Sequence, residues 1–152
     1  MAEIRDQEWL ENTLADIWYK HFSDIHQHNE VIIRWGRKAK NRLGSISQKV
    51  NKDRVPKGMV LFSSSGYQTS MITINKLLQQ AEIPDMLVRS VIFHELSHYA
   101  HGFNSPLGQK YRYPHRGGVM RKEFEERGCL DLYLFQKKWL KDNWWDFINR
   151  YY

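Results

Sequence analysis

IPDMLVRSVIFHELSHYAHG, residues 83–102, decides the fold. Pro84 suits the first turn of a helix, Asp85 suits its positive end, and Gly102 suits a C-terminal cap. A helix is therefore predicted over residues 84–101. Inside it, His94-Glu95-Leu96-Ser97-His98 spells H-E-x-x-H. Residues four apart on a helix differ by only about 40° in direction and lie about 6 Å apart along the axis. Two imidazoles so placed converge on one metal ion, and the carboxylate of Glu95 points towards the same side. Val91, Ile92 and Phe93 just before the motif mark the helix as buried. Two histidines and an ionised glutamate are costly to bury without a metal or polar partners.

Working outward, Trp9, Leu10, Leu14, Ile17, Trp18 and Phe22 recur at helical spacing and predict an amphipathic helix over residues 7–22. EVIIRWG at 30–36, LGSIS at 43–47, MVLFS at 59–63 and SMITIN at 70–75 read as short strands. The polar stretch before MVLFS carries Pro56 and Gly58 and reads as a loop. Residues 103–118 are loop-like, a further helix is expected over about 118–128, and the remainder reads as an aromatic-rich helical extension, 130–152. A helix, then strands, then helices in 152 residues make a single α+β domain with a three- to four-stranded sheet.

Chemistry bounds the rest. Cys129 is the lone cysteine, which excludes an intrachain disulfide and a zinc site built on several thiolates. A single thiol and a polar beginning, MAEIRDQEWL, argue for a cytoplasmic chain with neither a secretory signal nor a membrane span. The net charge of +6 is uneven: Arg34, Arg37, Lys38, Lys40, Arg42, Lys49, Lys52, Arg54 and Lys57 face one acid, Asp53, in residues 34–57. Such a patch keeps a surface solvated, and it also attracts phosphates or acidic surfaces. Arg37, Lys38, Lys40 and Arg42, with Trp35 beside them, are the candidate nucleic-acid contacts.

A catalytic zinc takes three protein ligands and leaves one position for water. His101 sits a full turn beyond the H-E-x-x-H pair, about 10 Å from His94 along the axis, too far to share the ion. The metzincin pattern asks for Gly at 101 and His at 104, where this chain has His101 and Asn104. His115, on the following loop, and Glu123, on the next helix, both remain open as the third ligand. Tyr111 and Tyr113 are candidates to stabilise an oxyanion if their loop closes over the site. Ser97 lacks a base and reads as a small helix residue. His21, His26 and His28 form a loose cluster, better read as a polar turn than as a second metal site. Trp139, Trp144, Trp145, Phe147, Tyr151 and Tyr152 demand cover. This domain's own core is the first expectation, a partner or the cleft the others.

ITIN, then IPDMLVRSVIFHELSHY, then PHRGG followed by a helical Phe124, resembles the SprT-like zinc metallopeptidases. VIIRWGRKAKNRLGSIS resembles the first strands of that family's domain, and the similarity spans about residues 10–128. The resemblance implies a small zincin-like fold and one Zn2+ per chain. It implies His94, His98 and His115 as ligands, Glu95 as the catalytic base and then acid, and a peptide or protein substrate. A minimal gluzincin arrangement, with Glu123 as the third ligand, is the alternative. Related eukaryotic members act on DNA–protein crosslinks, which makes DNA an expected partner for the basic segment. The competing function is a nucleic-acid-binding protein whose zinc site is structural or latent.

Overall fold

Asp6 opens the first helix, its carboxylate accepting the Trp9 N–H at 2.8 Å. The computed structural model describes residues 5–50 and 68–152. The expected strand at 59–63 and the cations Lys52, Arg54 and Lys57 lie outside them. Helix α1, Gln7–His21, turns Leu10, Leu14 and Ile17 inward, as its periodicity predicts. Three strands follow among the described residues: β1, Glu30–Trp35; β2, Gly44–Val50; and β3, Gln68–Ile74. They form a mixed sheet in the order β1-β3-β2. β1 lies parallel to β3, with Ile33 opposite Ile72, and β2 lies antiparallel, with Ile46 opposite Ile72. β2 is thus an edge strand among the described residues.

Helix α2, Asp85–Ala100, packs against α1, β2 and β3. Leu87, Val88, Val91, Ile92, Phe93 and Leu96 are buried, so most of its circumference lies in the core. Helix α3, Val119–Glu126, and helix α4, Leu130–Tyr151, close the far side of α2. The architecture is the expected α+β domain, with an N-terminal helix and C-terminal helices. Arg5, buried at the start of the described chain, donates to the carbonyls of Leu78 and Gln80 at 2.9 Å and to Asp85 at 3.0 Å. It ties the entry of α1 to the entry of α2.

The aromatic tail meets its first expectation in part. Trp144, Phe147 and Ile148 join the core, whereas Trp145 and Tyr152 stay exposed. Trp144 Nε1 donates to the Lys40 carbonyl at 2.9 Å, so α4 holds the chain leading into β2. No helix of the described residues is long and apolar enough to cross a membrane.

Candidate metal centre

α2 presents His94 and His98 on its one face that is not covered by core. His98 is buried and His94 half-buried. The chain then turns at Gly102 with φ +83°, where a Cβ would stand 2.5 Å from the Gly108 carbonyl oxygen. Only glycine allows both that backbone and that approach. The loop is fastened behind the turn: Lys110 N–H donates to the His101 carbonyl at 2.8 Å, and Ser105 Oγ donates to the Tyr99 carbonyl at 2.8 Å. A side-chain chain fastens its front. Tyr99 OH donates to Asn29, Asn29 Nδ2 to Ser70 Oγ, Ser70 Oγ to the Asn104 carbonyl, and Asn104 Nδ2 to the Ile46 carbonyl. The loop so held brings His115 back over α2.

The three imidazoles meet at their Nε2 atoms: 3.0 Å from His98 to His94, 3.0 Å from His115 to His98 and 3.1 Å from His94 to His115. This triangle cannot be satisfied by protons. An imidazole nitrogen carries either a hydrogen or a lone pair, and around a ring of three at least one neighbouring pair must match. A cation inside the triangle accepts all three lone pairs at once. Nitrogens about 2.0–2.1 Å from one tetrahedral ion stand about 3.3 Å apart, close to the observed edges. The three histidines could therefore hold a metal ion.

The environment keeps the rings in the metal-binding form. Burial, with the neighbouring His98 and His115, pulls His94 down to about 3. Burial, with His115 and His101, pulls His98 down to about 4. Glu95 is displaced the other way: burial raises it to about 8 against the opposing field of Arg42. Its carboxylate lies against β2, whose Gly44 leaves the room. A Cβ on Gly44 would stand 2.8 Å from Val91 Cγ1 and 3.3 Å from Glu95 Oε1. Gly44, Ile46, Glu95, Asn104 and His115 line a cleft of about 300 Å³ beside the triad. A second hollow shares Arg42, Gly44, His94, Glu95 and His115 with it and reaches Gln136 of α4.

The other candidates fall elsewhere. Glu123 is buried with His101, whose Nε2 lies 3.0 Å from its Oε2, and it accepts from Arg127 Nε at 2.8 Å. Burial opposes its charge, but His101 and Arg127 outweigh burial and hold it at about 2. It stands outside the histidine group and acts as a tie between α2 and α3. Tyr111 packs edge-on against His101, with ring centres 4.8 Å apart. Tyr113 is exposed beneath the guanidinium groups of Arg112 and Arg116. Arg37, Lys38 and Lys40 are exposed. Arg42 is exposed as well, and it also lines the cleft. Sequence reasoning missed Gly44 and Asn104. A glycine opening a strand is a signal of close backbone approach, whereas nothing local marks Asn104. No protein-family model, curated protein or solved structure matches this chain.

Proposed function

We propose that this chain is a zinc-dependent metallopeptidase of the SprT-like kind. The observation that carries the reading is the Nε2 triangle of His94, His98 and His115 with Glu95 beside it in an open cleft. Three neutral imidazoles suit zinc, and no fourth His, Cys, Asp or Glu joins the group among the described residues. That favours a catalytic site over a structural one, which is normally closed by four protein ligands. Zinc held there supplies a Lewis acid that brings the pKa of water down towards 7. Glu95 then accepts the proton of the water attacking the peptide carbonyl and returns it to the departing amine nitrogen. The edge strand β2 offers backbone groups of Gly44 and Ile46 along the cleft, where an extended peptide can pair without a fixed sequence. Asn104, which now donates to the Ile46 carbonyl, is the group such a peptide would compete with.

Glu95→Gln tests the reading. The variant is expected to keep one zinc per chain and to lose at least about a hundredfold in kcat on an unfolded protein substrate. Cleavage at the wild-type rate by this variant refutes the assignment.

A second reading, nucleic-acid binding, draws on one observation. Lys40 Nζ lies 4.7 Å from the ring centre of exposed Tyr152, and the exposed cations Arg37 and Lys38 are its near neighbours in the chain. Phosphate contacts and a ring for stacking are what single strands need. Reversing the charges of Arg37, Lys38 and Lys40 is expected to weaken binding to single-stranded DNA and flatten its salt dependence. No affinity of the wild type at low salt removes this reading.

A further inference from the structure

Several cations elsewhere on this protein pair with carboxylates. Arg5 pairs with Asp85, Arg89 and Lys20 with Asp16, Arg127 with Asp24 and Glu123, Lys138 with Asp142, and Arg150 with Glu82. The cleft departs from this pattern. Besides α2 and Gln136, its lining comes from residues 41–46 and 103–115, neither of which contains an Asp or Glu. Arg42 is the one Lys or Arg that lines it among the described residues. Glu95 is the one carboxylate that lines the cleft among the described residues. Arg42, itself exposed, lines both hollows with His94 and Glu95. No side-chain ion pair engages its guanidinium among the described residues. Its main chain is fixed, because buried Asn75 donates through Nδ2 to the carbonyls of Ala39 at 2.7 Å and Arg42 at 2.8 Å.

We infer that the cleft selects acidic polypeptide segments, with Arg42 binding a carboxylate side chain next to the bond presented to the triad. This rests on the peptidase reading and names its substrate class. A guanidinium offers two parallel N–H donors to a carboxylate, a shorter and stronger contact than neutral hydrogen bonds give. Its planar fork is pre-organised, so it loses less entropy per hydrogen bond than a lysine would. Nucleic acid is the other polyanion, and the cleft suits it less. Phe103, the one Phe, Tyr or Trp that lines it among the described residues, is half-buried against His98, at 6.0 Å between ring centres. Bases have no free ring there on which to stack.

The test uses the zinc-loaded full chain carrying Glu95→Gln, which binds without cutting. Two short labelled peptides differ only in Glu or Gln at alternate positions, and binding is read by fluorescence anisotropy. The Glu peptide is expected to bind about tenfold tighter, equivalent to about 1.4 kcal/mol, with an affinity that falls as salt rises. Adding Arg42→Gln should bring it down to the level of the Gln peptide with zinc content unchanged. Lys138→Glu on α4 should leave it alone. Equal binding of the two peptides, or indifference to Arg42→Gln, overturns the inference. So does single-stranded DNA that binds more tightly than the Glu peptide and depends on Arg42. Cleavage by the wild type separates the two readings. A Glu peptide bound through Arg42 but never cut removes the peptidase and leaves the anion site. Cutting of both peptides at equal kcat/KM does the reverse.

Discussion

Gly44→Ala is a small change with opposing effects whose sum the structure decides. Removing backbone freedom from the unfolded chain stabilises by about 0.4–1 kcal/mol where the native conformation tolerates alanine. Against this, the new Cβ would stand 2.8 Å from Val91 Cγ1 and 3.3 Å from both Glu95 Oε1 and the Thr73 carbonyl oxygen. Carbon atoms pack at about 3.5–4.0 Å, so strand and helix must part by roughly 0.7 Å at a point where β2 is paired to β3. Overpacking of this kind costs about 1–3 kcal/mol, and the clash wins. Net destabilisation of about 0.5–2.5 kcal/mol is expected from urea titration with an unchanged m-value. Val91→Ala removes the nearest methyl, so in that background Gly44→Ala should become close to neutral. That coupling of about 1 kcal/mol or more is read from the double-mutant cycle. Activity should fall further than stability, because the same Cβ displaces the Glu95 carboxylate. A Gly44→Ala protein as stable as the wild type, with no coupling to Val91, refutes the account of how β2 meets α2.

His115→Ala should lower zinc affinity by at least about tenfold with the fold intact, measured by chelator competition. Unchanged affinity would return the third position to Glu123. In metal-free protein, Glu95 is raised to about 8 from an unfolded value near 4.5, so the folded state holds the extra proton between those limits. Stability is therefore full at low pH and is lost as pH rises through this window, by up to about 1.4 kcal/mol per unit. Glu95→Gln does not titrate, and the difference between the two proteins isolates this slope. His94 and His98 are lowered and act in the opposite sense below 6.5, but they are common to both proteins and cancel. A wild type whose stability relative to Glu95→Gln is flat from pH 5 to 8 contradicts the burial of that carboxylate.

The helix carrying His94 and His98 was legible because periodicity, a proline near its start and a glycine past its end agree in one short stretch. The strands showed themselves by β-branched runs, but the parallel pairing of β1 with β3 did not, since register is fixed by contacts between distant segments. His115 was nameable yet not separable from Glu123 by spacing, because a loop has no period. What separates them is a buried pairing, His101 with Glu123, that local sequence reads as an ordinary solvated helix charge. Arg42 shows the limit of composition. Four cations close together look like one patch, but one of them, on a bend pinned by Asn75, also lines the cleft.

The clasp around the loop after α2 also bears on what any ion held by the triad would contribute. Tyr99, Asn29, Ser70 and Asn104 hold this loop through the protein's own hydrogen bonds, and Lys110 secures it to His101. None of these groups is one of the three histidines. In a zinc finger, by contrast, binding and folding are one transition. Chelation is therefore expected to leave this chain folded, with unchanged far-ultraviolet circular dichroism.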